Sequence, residues 1–241
     1  MKSNTFKKLS FAVLTLLFSA SSFAHALWIE TKATGTKGKP QAIDIYFGEF
    51  SEKDIEKTAK WFSDINHFSL ILITPSKKEI KLTATALENK YQAFFTPDED
   101  GVYTVAMHHT VKDVYGTMKL DYNSSATVTV ANDLKGNEAS INPNIISLFS
   151  KEVKTAKKDT KIMINTLYEG KIAKQQKMKV IAPNGWEKEL WSSENGEISF
   201  TPIWSGNYMV EFAYTEKTAG EHNGKKYDEV WKMATYLITV K

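Results

Sequence analysis

Phe95-Thr-Pro-Asp-Glu-Asp-Gly-Val-Tyr-Thr-Val-Ala-Met-His-His-Thr110 recurs without a gap as Phe200-Thr-Pro-Ile-Trp-Ser-Gly-Asn-Tyr-Met-Val-Glu-Phe-Ala-Tyr-Thr215. Phe, Thr-Pro, Gly, Tyr, Val and the closing Thr hold the same places in both copies. A repeat separated by the length of a small domain means a duplicated folding unit. In each copy a Gly-x-Tyr corner opens an alternating strand, the arrangement that immunoglobulin-like sandwiches use near their penultimate strand. A polar loop and a last strand follow each copy, over 126–130 and over 234–240. The expected fold is therefore all-β: two tandem immunoglobulin-like β-sandwich domains, N-terminal over 25–131 and C-terminal over 161–241. Between them, 132–160 is polar and lysine-rich and reads as linker plus a first strand region.

Residues 1–24 read as a cleaved signal peptide. Lys2, Lys7 and Lys8 precede the apolar run Phe11-Ala-Val-Leu-Thr-Leu-Leu-Phe18, and small residues lead to a cut. That run falls short of the ~20 residues a membrane span needs. Cleavage fits after Ala24 or after Ala26; the first makes His25 the new N-terminus and the second removes it. The leader holds three lysines and no acid, so the net charge of +3 falls to zero without it (3 − 3). All 31 basic residues are lysine. Without the arginine fork that grips phosphates and base edges, no nucleic-acid partner is expected. The chain has no cysteine, which removes disulfides, thiolate metal sites and cysteine nucleophiles.

Along the chain, strands are expected over 27–32 and 42–47. Residues 51–65 then read as a short inserted helix, with Ser51 and Asp54 as a capping box and Ile55, Ala59 and Phe62 on one face. A hairpin about Pro75 joins 68–74 to 79–83. Strands follow at 91–95 and 102–110, and 115–123 reads as a long loop. In the second half, Pro183-Asn-Gly185 marks a hairpin between 178–182 and 186–191. Strands are expected at 161–167, 197–201, 207–215 and 232–240, with 219–226 as an exposed flap.

No catalytic motif stands out: neither a Gly-x-Ser-x-Gly elbow, nor a phosphate loop, nor a His-Glu-x-x-His pair is present. The expectation is a non-enzyme. The five histidines, His25, His67, His108, His109 and His222, carry the remaining chemistry. A cysteine-free transition-metal site must draw on imidazole, amine and carboxylate. An N-terminal His25 would offer amine and ring together. His108 and His109 end a strand with side chains on opposite faces, so at most one is expected to join a given site from the strand. Glu49, at the end of the second strand, is a further candidate. Six tryptophans suit either a sugar-stacking platform or core packing.

Several stretches resemble an exported bacterial family associated with nickel and cobalt uptake, the periplasmic components of cobalt/nickel transport systems. They are Ala24-His25-Ala26-Leu27-Trp28-Ile29-Glu30, Tyr46-Phe47-Gly48-Glu49-Phe50, Leu167-Tyr168-Glu169-Gly170-Lys171, Val180-Ile-Ala-Pro-Asn-Gly185 and Ala234-Thr-Tyr-Leu237. The resemblance favours the cut after Ala24 and implies an immunoglobulin-like or carbohydrate-binding-like sandwich. It also implies capture or delivery of a divalent metal outside the inner membrane, and His25 and Glu49 fall on its motifs. The expected function is thus periplasmic, non-enzymatic binding of nickel, cobalt or copper by His25, His108, His109 and Glu49. A membrane transporter component is a possible partner, and the mature chain is expected to carry no membrane span. The alternative is a glycan- or protein-binding sandwich module without metal.

Overall fold

The computed structural model describes residues 25–151 and 155–241; the expected signal peptide lies outside them. The described chain is all-β, with only short 3₁₀ turns besides its strands. No helix among the described residues is long and apolar enough to cross a membrane. The principal strands are β1 (Ala26–Glu30), β2 (Gln41–Glu49), β3 (Ser69–Ile73), β4 (Glu79–Lys81), β5 (Tyr91–Phe95), β6 (Gly101–Thr110) and β7 (Met118–Val130) in the first half. The second half adds β8 (Ile146–Phe149), β9 (Ile162–Tyr168), β10 (Lys177–Ile181), β11 (Glu187–Trp191), β12 (Glu197–Phe200), β13 (Gly206–Glu216) and β14 (Glu229–Val240).

The two halves share one sheet. Its order is β11-β10-β13-β14-β7-β6-β3-β4, with Thr34–Gly35 added beside β7. The seam is the parallel pairing of the two last strands, from Met118 opposite Glu229 to Ser125 opposite Tyr236. A smaller sheet, β1-β2-β5, covers the first half, and β8, β9 and β12 cover the second. The covers lie on opposite faces of the shared sheet, as β14 itself shows. Trp231 and Met233 join the core of Leu27, Ile45, Tyr103 and Tyr122. Ala234, Tyr236, Ile238 and Val240, of the other parity, join the core of Ile146, Ile164 and Phe212.

This seam explains a strand that the sequence hides. Residues 115–123, expected as a loop, instead make a tight turn from Tyr115 to Met118 and then the start of β7. Asp121, Asn123, Ser124 and Ser125 are all buried there. They stay in the strand because the side chains of Asp121 and Ser124 and the side-chain amide N–H of Asn123 find partners, although Asn123 Oδ1 is buried without one. Ser124 Oγ accepts from Ile29 N at 3.2 Å and shares a 2.8 Å hydroxyl–hydroxyl bond with Thr235 Oγ1, whose own proton goes to Leu27 O, and Asn123 Nδ2 donates to Asp121 Oδ1 at 2.7 Å. A buried polar strand is stable only when it is paired in this way.

The helix expected over 51–65 is also absent. Asp54–Ile55 pairs with the end of β2, and 3₁₀ turns follow at Thr58–Lys60 and Ile65–His67. Ile55, Ala59 and Phe62, its intended apolar face, are exposed, while Trp61 and Ile65 are buried. Lys53 and Ser63 take positive φ, which a right-handed helix does not admit. The local pattern lost to the anchoring of Trp61 against Phe47 and Tyr91, with ring centroids 5.7 and 5.0 Å apart.

The repeated corner appears in both halves. Tyr103 Oη accepts from the backbone N–H groups of Asp98 (3.0 Å) and Glu99 (2.9 Å), and Tyr208 Oη from that of Trp204 (3.1 Å). The glycines before them have φ of +127° and +130°, and each lies against a proline, Pro75 or Pro183, from the neighbouring hairpin. A Cβ at Gly101 would sit 2.6 Å from Pro75 and 2.7 Å from Lys135 O. Tyr103→Phe strands two donors where Tyr208→Phe strands one. It is expected to cost ~2 kcal/mol, against ~1 for Tyr208→Phe, in urea unfolding; the reverse order would refute this account of the corner.

Candidate functional site

His25 leads directly into β1, whose five residues pair with β2 in the register Ala26–Gly48 to Glu30–Asp44. Its ring lies against Phe47, with centroids 5.4 Å apart, and its Nε2 is 3.6 Å from Glu56 Oε1. Glu56 is brought there by the two-residue strand before it and by its own N–H, which donates to Phe47 O at 2.9 Å. Both side chains remain partly open to solvent. They border a cavity of about 210 Å³ with Lys60, Phe62, Tyr115 and Tyr122. Burial pushes the Tyr122 phenol well above its usual pKa, so this wall of the cavity stays neutral.

His108 and His109 point to opposite faces of β6, as strand alternation requires, and each meets its own carboxylate. His108 Nε2 lies 3.0 Å from Asp121 Oδ2, which also accepts from Thr110 Oγ1 at 2.7 Å. Burial favours the protonated acid at Asp121, but the bonds from His108, Thr110 and Asn123 outweigh it and hold the pKa below the usual range. The same bond raises the pKa of His108 against the opposing effect of burial. His109 Nε2 lies 3.0 Å from Asp64 Oδ1, which also accepts from Lys112 N at 2.8 Å. Partial burial raises the pKa of Asp64, and these bonds bring it below the usual value.

Glu49 lies elsewhere. Its Oε1 accepts from Ser51 Oγ at 2.8 Å, and its Oε2 is buried without a hydrogen-bond partner. It acts electrostatically on Lys179 and Glu211, across the contact between the two halves. Lys179 Nζ is 3.3 Å from Glu211 and 3.6 Å from Glu187. His222 Nε2 is 3.0 Å from Val111 O, and His67 is exposed on a 3₁₀ turn. Each of His25, His108, His109 and Glu49 therefore has its own neighbourhood. Among the described residues no three His, Asp or Glu side chains converge as a metal cage. Sequence reasoning missed Glu56, which lay inside the expected helix and is carried to His25 only by long-range pairing.

The tryptophans divide. Trp28, Trp61 and Trp231 are buried, whereas Trp186, Trp191 and Trp204 are exposed. Trp186 and Trp204 meet edge to face at 6.3 Å beside the Pro183 hairpin, not as a coplanar platform.

No family model matches the sequence, and no curated protein matches it. Several solved structures show distant similarity. A DUF4785 family protein from Legionella pneumophila is 13% identical, with a TM-score of 0.31, over 76% of this chain and 52% of that one. Salmonella alpha-2-macroglobulin is 10% identical, with a TM-score of 0.28, over 91% of this chain and 15% of that one. The fibronectin(III)-like modules of Clostridium thermocellum CbhA are 10% identical, with a TM-score of 0.26, over 89% of this chain and 94% of that one. The chain thus spans about half of the first protein and a small part of the second.

Proposed function

We propose that the protein is an exported, non-enzymatic binder of a divalent transition metal, nickel, cobalt or copper, acting as a periplasmic uptake or delivery accessory. The observation that carries this reading is the approach of Glu56 to Nε2 of His25. A carboxylate 3.6 Å from that nitrogen, within ion-pair reach though beyond hydrogen-bond length, leaves Nδ1, the ring nitrogen that closes a chelate with the residue's own α-amine once cleavage after Ala24 frees it. A carboxylate behind a metal-bound imidazole also fixes its tautomer and strengthens it as a donor. Amine and imidazole suit this part of the transition series. His108 and His109 are engaged by Asp121 and Asp64 and Glu49 is remote, so the site rests on His25, with Glu56 as its support. A membrane transporter component would be the natural recipient of the metal.

The test is an affinity measurement on the exported protein, with intact mass fixing its first residue. His25→Ala is expected to abolish tight binding. Glu56→Gln is expected to weaken it ~10–100-fold, the usual effect of losing an outer-shell partner. A mature chain that begins at Leu27, or equal affinities for wild type and His25→Ala, would end the proposal. The exposed Trp186–Trp204 pair supports the second reading, a glycan- or protein-binding module. That reading expects binding that survives chelator and is lost in Trp186→Ala.

A further inference from the structure

The two seam strands do not stay together. β7 and β14 pair as far as Ser125 and Tyr236, then part. Residues 126–130 of β7 continue along β6, and the end of β14 continues along β13. Each freed edge is caught again by a short segment. Thr129 N donates to Ala33 O at 2.9 Å, where Thr34–Gly35 joins β7, and Ala156 bridges Val240, its N–H donating to Thr239 O at 3.2 Å. Between these two repairs the sheet is open. A cavity of about 420 Å³ lies at one side of the opening and one of about 600 Å³ at the other. Both are bordered by Thr31, Ala33, Thr155, Leu237 and Thr239.

The smaller cavity has a defined chemistry. Its walls are aliphatic, from Ile29, Ala126, Leu134, Ile162, Leu237 and Ile238. Its one aromatic ring, Tyr236, has its hydroxyl tied to Thr127 at 2.8 Å. The exposed Lys151 and Lys157 stand at its border with Thr155 and Thr160, and no carboxylate is among its described lining residues. Ligand sites favour such junctions, combining apolar walls with a few polar groups. Aliphatic walls suit a hydrocarbon chain better than a sugar or planar ring, which would want an aromatic face. Two lysines with no carboxylate among the described lining residues select an anionic head, and as point charges they accept a carboxylate or a phosphate alike. An added peptide strand fits less well, because the backbone edges on both sides already hold Ala33–Gly35 and Ala156.

We propose that the fork between β7 and β14 is a binding site for one aliphatic chain with an anionic head group. The chain would lie against Ile29, Leu237 and Ile238, with its head at Lys151 and Lys157. This site is separate from His25 and does not depend on metal. The test is titration of the chelator-treated mature protein with dodecanoate carrying a ¹³C carboxyl, followed by NMR. Dodecyl phosphate and dodecanol are run in parallel to separate carboxylate, phosphate and neutral heads.

One dodecanoate per chain is expected, with dodecanol weaker. Charge reversal at Lys151→Glu with Lys157→Glu is expected to weaken dodecanoate ~10-fold or more, as does filling the cavity with Ala156→Trp. His25→Ala should bind dodecanoate as wild type does, which keeps this result apart from the metal reading. Dodecyl phosphate binding more tightly than dodecanoate would assign the head as phosphate and keep the site. Saturation that never develops, dodecanol binding as tightly as the anions, or folded variants that bind unchanged would overturn it. So would preference for an extended valine-rich peptide.

Discussion

Glu211→Gln should stabilise the protein by about 3 kcal/mol at pH 8 and hardly at all near pH 4.5. Glu211 is 5% exposed on β13, on the face that meets the end of β2. Burial raises its pKa from 4.5 to about 7; Lys179 opposes the rise, and Glu49 and Glu187 add to it. The other strand beside it, β14, places the uncharged Thr235 there. Lys179 is itself held in its charged form by Glu211, Glu187 and Glu49 against the cost of its own burial. One ammonium cannot neutralise three carboxylates, so the most buried acid keeps its proton.

The folded pKa lies above the unfolded one, and this sets the sign. Below about pH 4.5 both states are protonated and nothing is lost. Between about 4.5 and 7 the unfolded chain ionises while the folded chain does not, and the native state loses stability. Above 7 the loss is complete, at roughly 1.36 kcal/mol per pKa unit. The glutamine variant has no such titration. Urea unfolding of both proteins from pH 4.5 to 8 should give curves that diverge as pH rises. Parallel curves would show that Glu211 ionises in the fold as freely as outside it.

The sequence disclosed the parts of this molecule that repeat locally. The Gly-x-Tyr corners, the Pro75 and Pro183 hairpins and the alternation of β2 each follow from spacing alone. The seam did not, because its cause is long-range. Asp121-Tyr-Asn123 reads as loop until β14 supplies partners on one side, with Ile29 reaching the neighbouring Ser124 on another. The near-continuous apolar run of β14, Val230-Trp-Lys-Met-Ala-Thr-Tyr-Leu-Ile238, was the available clue, since a strand buried on both faces loses its alternation. Even Lys232 fits there, paired with Glu216 and with its Nζ 5.9 Å from the Tyr168 ring centroid. The site behaved similarly. His25 stands out in the sequence as a candidate because of its place beside an expected cleavage site, whereas Glu56 comes near it only through the pairing of Asp54–Ile55 with β2.

Trp28→Ala should cost ~3–5 kcal/mol, the range for a large aromatic removed from a core. Trp28 is 1% exposed. Its indole stacks on Tyr46 at 5.6 Å, meets the edge of Phe50 at 5.7 Å, and donates from Nε1 to Glu30 Oε1 at 3.1 Å. Leu27 and Ile29 point to the other face of β1, opposite Phe47 and Ile45. The five-residue strand is further tied to the seam, because Ser124 receives the Ile29 N–H and Thr235 Oγ1 donates to Leu27 O at 2.8 Å. Trp28 therefore anchors the short strand that holds His25 beside Glu56. Trp28→Phe keeps an aromatic body but loses the indole hydrogen bond, and should recover more than half of the loss in urea unfolding. If Trp28→Ala lowers stability by less than ~1.5 kcal/mol, the strand is held by its backbone ties instead. The same variants separate fold from site. Loss of the anchor should loosen His25 and weaken the metal binding proposed for it in Trp28→Ala even where the protein remains folded, and Trp28→Phe should restore both together.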